Sequence, residues 1–255
     1  MSDAIAVTGA TGRMGREVLS VLTERDDSTV AFAVNRDAEA EHVDGIAIEP
    51  AGRFGPLLGE REPAAVIDFT GPEATIEYAA GCADAGVPFV TGTTGFTDEQ
   101  RTALEEHAEA IPLLHAPNFA RGVQTMVDVI GEIVRGLPGY DVELVETHHN
   151  GKRDAPSGTA NRLLEAIETA GTFTERVHGR EGDQPREAGE IGVHALRAGD
   201  VTGAHEIIIA GNHEELRLTH RAENRGVFAA GAVDAATWLV DQPPGSYDFS
   251  AVIGE

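Results

Sequence analysis

The chain has 255 residues, of which 41% are hydrophobic, and its 43 acidic and 19 basic residues give a net charge of −24 at pH 7. Nucleic acids and anionic membranes bind basic surfaces, so this charge argues against both as partners, and no apolar run approaches the ~20 residues of a membrane-spanning helix. The acids are dispersed among an ordinary apolar fraction, which excludes an acidic disordered tail and indicates a globular chain long enough for two domains.

The basic residues and the single cysteine indicate the environment of the protein. Cys82 has no partner for an internal disulfide, and the N-terminus lacks the basic and apolar regions of a secretory signal, so we expect a cytoplasmic protein. Lys152 is the only lysine, while arginine serves everywhere else. Excess acid, arginine in place of lysine and few aromatic residues resemble proteins of salt-accumulating halophiles, where molar salt screens such charge. We therefore hypothesise a halophilic source.

Strand and helix patterns alternate over residues 1–119. Apolar runs predict strands at 5–9, 29–36, 64–70, 87–95 (a strand with its loop) and 111–119. Helical spacing and caps predict helices at 13–24, 72–86 and 98–110, whereas residues 37–62 are predicted to be irregular. Strands separated by helices of this length predict an α/β fold with a doubly wound parallel sheet.

The pattern changes near residue 120. A predicted helix at 122–137, a strand at 142–149 and a helix at 157–170 precede a polar loop at 171–190. Three strand-like stretches without intervening helices then follow, at 191–199, 204–212 and 214–222. Consecutive strands predict a second domain with a mixed or largely antiparallel sheet. The segment 227–245 returns to an amphipathic helical pattern.

The segment Gly9-Ala10-Thr11-Gly12-Arg13-Met14-Gly15 lies between the first predicted strand and the first predicted helix. Glycines there let the backbone turn tightly and approach a pyrophosphate, which the free N–H groups of the helix N-terminus then bind. The spacing is GxxGxxG, a relative of the dinucleotide fingerprint, and its strand–turn–helix context favours dinucleotide binding over a merely structural turn.

The second predicted strand ends at Asn35-Arg36, where a carboxylate would favour NAD and an arginine the 2′-phosphate of NADP. Arg36 and Arg13 therefore favour NADP, while Asp37, one position late, leaves NAD open. Ligands of such sheets bind outside the carboxyl ends of the strands. We accordingly expect two further loops to line the nicotinamide: Gly92-Thr93-Thr94-Gly95 and Ala116-Pro117-Asn118-Phe119.

The stretch ETHHNGKRDAPSGTA (146–160) combines a histidine pair with the lone lysine. Ser157 is a suitable N-cap, so the N–H groups of Gly158 and Thr159 would form an anion site beside Lys152. The stretch therefore favours a carboxylate-bearing substrate. Lysine can also release a proton, which arginine cannot. No cysteine or carboxylate accompanies the histidines at metal-ligand spacing, so we expect no metal.

Seven stretches together resemble the dihydrodipicolinate reductase family: GATGRMGRE, VIDFTGPEAT, GTTGF, APNFARGVQ, ETHHNGKRDAPSGTA, IGVHALRAGDVTGAHE and THRAENRGVFAAGAV. The resemblance implies a Rossmann-like doubly wound domain (1–119, completed by 226–255). It also implies a smaller mixed α/β domain (120–225) that binds substrate and builds a homotetramer. The implied activity is reduction of 4-hydroxy-tetrahydrodipicolinate in the diaminopimelate route to lysine, with hydride from NADPH or NADH reaching C4 of a cyclic imine.

The resemblance also implies residue roles. His148 corresponds to the catalytic histidine and Lys152 to the family's proton donor, while His149, Gly158 and Thr159 correspond to substrate carboxylate contacts. Either Lys152 or His148 could deliver the proton that follows the hydride, and the sequence leaves this choice open. The cofactor contacts correspond to Gly9, Ala10, Thr11, Gly12, Arg13, Met14, Gly92, Thr93, Thr94, Ala116, Pro117, Asn118 and Phe119, with Asn35 and Arg36 at the second-strand tip. Asn35 stands where some members have an acid, which leaves the choice between NADP and NAD open.

Two alternatives remain at this stage. Another two-domain Rossmann oxidoreductase, such as an aspartate dehydrogenase-like enzyme, would share the glycine loop but would not need the HHxxKxDAPSGT block. A non-catalytic dinucleotide sensor would bind cofactor without turnover and would not need the lysine. The RAGD segment (197–200) receives no chemical role, and His205, His213 and His220 are predicted to be structural.

Overall fold

The computed structural model describes residues 2–36, 42–211 and 213–254, and the chain divides into two compact units. The first unit combines Met1–Phe119 with Arg225–Glu255, and the second is Ala120–Asn224. Each unit has its own sheet and its own apolar core. The predicted α/β fold class is confirmed.

The N-terminal part of the first unit alternates strands and helices. Its elements are β1 (Asp3–Thr8), α1 (Arg13–Glu24), β2 (Ser28–Asn35), β3 (His42–Val43), β4 (Ile46–Pro50), a 3-10 turn (Ala51–Arg53), α2 (Phe54–Arg61), β5 (Ala65–Asp68), α3 (Pro72–Ala85), β6 (Phe89–Thr91), α4 (Asp98–Ala108) and β7 (Pro112–His115).

The second unit contributes α5 (Arg121–Gly136), β8 (Asp141–His148), α6 (Gly158–Ala170), β9 (Glu175–His178), β10 (Glu190–Arg197), β11 (Gly203–Gly211) and β12 (Glu214–Ala222). The chain then completes the first unit with α7 (Gly226–Leu239), β13 (Gly245–Tyr247) and α8 (Phe249–Ile253).

The sheet of the first unit has the strand order β13-β7-β6-β5-β1-β2-β4-β3, parallel throughout except for the pairing of β3 with β4. Apolar side chains of α1, α7 and α8 cover one face, and those of α2, α3 and α4 cover the other. The strand order reverses direction at β1, between β5 and β2, and ligands of such sheets bind at this switch point. The glycine loop lies there, directly after β1.

The sheet of the second unit has the order β12-β11-β8-β10-β9. β10 runs parallel to both β8 and β9, whereas β11 runs antiparallel to β8 and β12, so the predicted mixed sheet is confirmed. Helices α5 and α6 pack their apolar faces against it through residues such as Ile130, Leu163 and Ile167. This packing holds the N-terminus of α6 near the end of β8.

Several predicted boundaries are confirmed. Helix α1 spans the predicted residues 13–24, α3 ends at Gly86 in the left-handed conformation with φ 70°, and α4 begins with a capping box between Thr97 and Gln100. The last two agreements share one cause, because a left-handed glycine and a capping box are local backbone signals that the sequence displays directly.

Three predictions for secondary structure are wrong. The segment predicted as irregular contains β3, β4 and α2, although residues 37–41 lie outside the described part, and the predicted polar loop contains β9. Helix α7 is not amphipathic, since its buried positions occupy most of its circumference. The strands were missed because β3, β4 and β9 are short and lie at or near sheet edges. Helix α2 was missed because it contains Gly55, Pro56 and Gly59, which are poor helix formers.

Helix α7 tolerates no side chain at Gly231. A Cβ there would lie 1.9 Å from the carbonyl oxygen of Phe119. We expect Gly231→Ala to lower the free energy of unfolding by about 2–4 kcal/mol because buried backbone must move. The control is Gly59→Ala in α2, where a Cβ meets nothing within 4 Å and helix propensity favours alanine by about 1 kcal/mol. Urea unfolding of both variants tests this, and equal stability of Gly231→Ala and the unsubstituted protein would contradict the packing.

Candidate active site

The glycine loop of the first unit requires glycine at specific positions. Gly9 has φ +67°, and a Cβ at Gly15 would lie 2.2 Å from the carbonyl oxygen of Gly9. Because Gly15 has no side chain, the first turn of α1 can pack directly against the backbone of the loop at Gly9. The structure therefore explains why Gly9 and Gly15 cannot be larger residues, and small residues in this loop are the steric condition for close approach of a pyrophosphate.

The N-terminus of α1 is open for an anion. Its N-cap is Gly12, which has no side chain to accept from the first amides, and its first turn contains no acidic residue. The first N–H groups of a helix have no partner within the helix, and their dipoles favour negative charge. The loop and the helix start thus fit a dinucleotide phosphate in both shape and electrostatics.

A cavity of about 400 Å³ lies beside this helix start. It brings together five predicted cofactor contacts, namely Arg13, Met14, Gly92, Thr93 and Thr94. It also includes Phe69, Thr70, Gly71 and Pro72, which sequence reasoning did not assign. The signal was available, because this segment directly follows β5 and lies at the carboxyl edge beside the switch point.

The remaining predicted cofactor residues lie at the same edge of the sheet. Asn35 ends β2 and Arg36 follows it with an exposed side chain, while Asp37 lies outside the described residues. The segment 116–119 follows β7. Phe119 is 1% exposed and packs edge-to-face on Phe69 and Phe249, so its ring belongs to the core.

In the second unit, the buried carboxylate of Glu146 binds the predicted catalytic histidine, His148. Glu146 is 0% exposed, and because side chains two apart share a strand face, it lies beside His148. Its oxygens accept from His148 Nδ1 at 2.6 Å, from both terminal nitrogens of Arg197 at 2.8 Å and from the Ser157 amide at 3.1 Å. A buried charge needs such partners.

These contacts determine the protonation of the pair. Burial would raise the pKa of Glu146, but the hydrogen bonds from Arg197 and His148 outweigh it, so its pKa is lowered and it is a carboxylate. A carboxylate only accepts, so His148 Nδ1 donates. Burial also lowers the pKa of His148, despite the opposing effect of Glu146. The ring is therefore neutral at pH 7, with an accepting Nε2.

Neighbouring strands supply Arg197 and His205 through the register of the sheet. Arg197 pairs with His148 across β10 and β8, and His205 pairs with Glu146 across β11 and β8. The His205 and His148 rings lie 5.2 Å apart. A Cβ at Gly203 would lie 3.1 Å from His148 Nε2, so glycine keeps space open at that nitrogen.

The predicted cap of α6 is confirmed. Ser157 Oγ accepts from the Ala160 amide at 3.2 Å and lies 3.0 Å from His205 Nε2. Gly158 and Thr159 therefore form the first turn of α6, where helix N–H groups favour an anion. The Ser157 amide itself donates to the Glu146 carboxylate, which ties the start of α6 to β8.

Lys152 lies in the turn that links β8 to this helix. Its amide donates to the His149 carbonyl at 3.1 Å, and its ammonium lies 2.9 Å from Asp154 Oδ1. The side chain is 21% exposed, so it can reach a bound ligand while remaining paired in its absence. His149 follows the end of β8 and is partly buried.

Sequence reasoning missed Glu146, Arg197 and His205 as members of this site. Glu146 and Arg197 stood within quoted motifs, ETHH and RAGD, but nothing in the sequence indicated that they meet. His205, predicted to be structural, contacts both Ser157 and the His148 ring. Among the described residues, no group of three or more histidine, cysteine or acidic side chains is arranged to hold a metal ion, and no helix is long and apolar enough to cross a membrane.

Two family models match the chain. The model described as the N-terminus of dihydrodipicolinate reductase matches residues 4–119, and the one described as its C-terminus matches residues 122–253. A 4-hydroxy-tetrahydrodipicolinate reductase of Natronomonas pharaonis is 50% identical over 250 residues, covering 98% of this chain and 99% of that protein. The protein of the same name from Haloarcula marismortui is 47% identical and covers 98% of each.

Solved structures share the fold. A dipicolinate-bound dihydrodipicolinate reductase from Paenisporosarcina sp. TG-14 superposes with a TM-score of 0.80 at 24% identity, covering 97% of this chain and 98% of that one. A probable dehydrogenase from Thermotoga maritima gives a TM-score of 0.63 at 12% identity, covering 98% of this chain and 92% of that one. At these identities the superpositions establish the architecture alone.

The buried His205 predicts a pH dependence of stability. It is 3% exposed, and burial, followed by the nearby His148, lowers its pKa to about 4. Between pH ~6.5 and about 4, the His205 ring is protonated in the unfolded chain but not in the folded one. The free energy of unfolding therefore falls as the pH falls through this range. We expect His205 to contribute up to about 3 kcal/mol of this loss.

Urea unfolding at a series of pH values in molar KCl measures the effect. His205→Gln should flatten the slope between pH ~6.5 and 4, whereas His42→Gln, at an exposed position, should leave it unchanged. An unaltered slope for His205→Gln would show that this ring does not titrate as its burial requires.

Proposed function

The chain belongs to the dihydrodipicolinate reductase family, and from that membership we infer that it is an oxidoreductase that reduces 4-hydroxy-tetrahydrodipicolinate in the diaminopimelate route to lysine. Family models cover both units, including the HHxxKxDAPSGT block that a general Rossmann oxidoreductase or a dinucleotide sensor would not need. The observation that carries the chemical proposal is the Glu146–His148–Arg197 arrangement beside Lys152.

We propose that the first unit holds the nicotinamide cofactor and the second holds the substrate. The open α1 N-terminus fits the pyrophosphate, and the cavity beside it is lined by the predicted contacts Arg13, Met14 and Gly92–Thr94. The other proposed cofactor contacts are Gly9–Gly12, Asn35, Arg36 and 116–119. When bound, the reduced nicotinamide supplies the hydride that reaches C4 of the cyclic imine. Arg36 and Arg13 favour NADPH over NADH because an arginine complements the 2′-phosphate.

The substrate's carboxylates are proposed to bind at the turn between β8 and α6. Gly158 and Thr159 lie in the first turn of α6, where amides and the helix dipole favour an anion. Lys152 adds a positive charge from one side and His149 a ring nitrogen from the other. Asp154 holds Lys152 when no carboxylate is present, and a substrate carboxylate would compete for the same ammonium.

Reduction leaves electron density on the substrate that requires a proton. Lys152 is proposed as its donor, because an ammonium has protons to donate and this one lies 2.9 Å from Asp154. Burial instead lowers the pKa of His148 and leaves its ring neutral. His148 then acts through Nε2, which accepts a hydrogen bond from the substrate or from Lys152. Arg197 supports this assignment: by pairing with Glu146, it keeps that carboxylate from drawing a second proton onto the imidazole.

The assembly and environment are proposed by the same reasoning. The family resemblance implies a homotetramer built by the second unit, and the biosynthetic role is consistent with the cytoplasm. The charge of −24 and the use of arginine for surface charge favour a salt-rich cytoplasm, where screening reduces repulsion between acidic side chains.

Replacing Lys152 tests the assignment of the proton donor. Lys152→Arg retains the positive charge but cannot release a proton, so we expect kcat to fall about 10²- to 10⁴-fold with a much smaller change in KM. Lys152→Ala should impair both. The assay follows NADPH consumption with substrate freshly made from pyruvate and aspartate semialdehyde, in molar KCl. Arg153→Ala, at the exposed neighbouring position, is the matched control, and full turnover in Lys152→Arg would sink the assignment.

Replacing Arg36 tests the cofactor preference. Loss of a charge-assisted hydrogen bond to the 2′-phosphate should raise the KM for NADPH about 10- to 100-fold in Arg36→Ala, without changing the KM for NADH. Arg61→Ala, at another exposed position of the same unit, serves as the control. An equal effect of Arg36→Ala on both cofactors would remove the argument for NADPH.

A further inference from the structure

A second buried carboxylate, Asp68, lies at the carboxyl end of β5 and is 0% exposed. Five threonine hydroxyls surround it at 2.6–3.0 Å: Thr8, Thr70, Thr75, Thr91 and Thr93. Within the described ranges 2–36, 42–211 and 213–254, no basic side chain forms an ion pair with it. Its described side-chain partners are therefore hydroxyl groups, an arrangement that the proposed mechanism does not use.

Two of the five threonines, Thr70 and Thr93, line the cofactor cavity, whereas the other three do not. Thr70 Oγ1 lies 2.6 Å from Asp68 Oδ1, and Thr93 Oγ1 lies 3.0 Å from Asp68 Oδ2. The two oxygens of one carboxylate thus hold the hydroxyls of the two threonines that line the cavity.

The chemistry of a hydroxyl then determines what the cavity offers. A threonine hydroxyl has one proton and two lone pairs, and a carboxylate only accepts. Thr70 must therefore direct its proton at Asp68. The proton of Thr93 also points inward, because the other oxygen near it, Thr75 Oγ1 at 2.9 Å, belongs to the same cluster. Only lone pairs of Thr70 and Thr93 remain for a ligand.

We propose that Asp68 is a positioning residue that makes Thr70 and Thr93 acceptors toward the cavity. This part of the cavity therefore binds a hydrogen-bond donor of the dinucleotide, either a sugar hydroxyl or the carboxamide NH₂ of the nicotinamide. A phosphate oxygen is excluded, since it has no proton to donate, and it belongs at the α1 N-terminus instead. The inference rests on the proposed cofactor site and adds that this part of the site accepts hydrogen bonds from the ligand.

Binding constants test the proposal without relying on turnover. Thr93→Val and Thr70→Val keep the side-chain shape and remove the acceptor, while Thr8→Val removes one hydroxyl from Asp68 and none from the cavity. The ligands are the reduced dinucleotide that binds more tightly, its 3-acetylpyridine analogue (which lacks the amide N–H) and the matching ADP-ribose (which lacks the nicotinamide ring). Calorimetric titration in molar KCl gives each Kd, and circular dichroism verifies folding.

We expect Thr93→Val to weaken dinucleotide binding about 3- to 10-fold, with a smaller loss in Thr70→Val and the smallest in Thr8→Val. Equal losses for all three ligands assign a sugar hydroxyl as the donor. A loss confined to the dinucleotide with an intact carboxamide assigns the carboxamide. Both results support the proposal.

Asp68→Asn provides an independent variant. Its amide donates where one carboxylate oxygen accepted, and because the two oxygens hold Thr70 and Thr93 separately, either orientation of the amide reverses one of these hydroxyls. Folded Asp68→Asn should therefore lose at least as much affinity for the dinucleotide as whichever of Thr70→Val and Thr93→Val loses less. Unchanged Kd values in all the valine variants and in Asp68→Asn would overturn this inference but leave the proposed function standing. Failure of the unsubstituted protein to bind either dinucleotide would overturn the proposed function as well.

Discussion

The second unit depends on compensating one buried charge, the carboxylate of Glu146. A carboxylate without exposed surface must be paired and hydrogen-bonded, because removing one partner from a buried pair costs about 3–5 kcal/mol. The partners that meet this requirement come from three separate elements: Arg197 from β10, His148 from the end of β8 and the Ser157 amide before α6. The same contacts that balance the charge also hold the histidine, the helix start and the connecting turn in their relative positions.

Asp68 meets the same requirement by a different route, since hydroxyl groups take the place of a cation. The two solutions have different chemical consequences. A guanidinium and an imidazole around Glu146 leave a neutral ring with one accepting nitrogen, whereas hydroxyls around Asp68 leave acceptors facing the cavity. In both cases a buried carboxylate decides which neighbouring groups donate and which accept. Each lies at or near the carboxyl end of its strand, where parallel sheets bind ligands.

The strongly acidic composition gives the basic residues particular importance. Several arginines are engaged with carboxylates, as Arg197 with Glu146, Arg176 with Glu168 and Arg25 with Asp27 and Asp234. A guanidinium does not release its proton in this pH range, so these arginines supply fixed positive charge to their carboxylate partners. Lys152 is the exception in number, and an ammonium, unlike a guanidinium, can give up a proton. The composition thus sets one lysine apart from the arginines that carry the remaining positive side-chain charge.

By itself the sequence determined whatever depends on local backbone chemistry. The bounds of α1, the end of α3 at Gly86, the cap of α4 and the glycine loop follow from residues adjacent in the chain. Tertiary structure alone decided β3, β4, β9 and β13, because short strands form only where a neighbouring strand supplies hydrogen bonds. It also decided the clusters around Glu146 and Asp68, which bind residues as far as 51 and 60 positions away from the carboxylate in the chain. Strand register brings such side chains together, and register is a property of pairing between strands that no single segment of sequence contains.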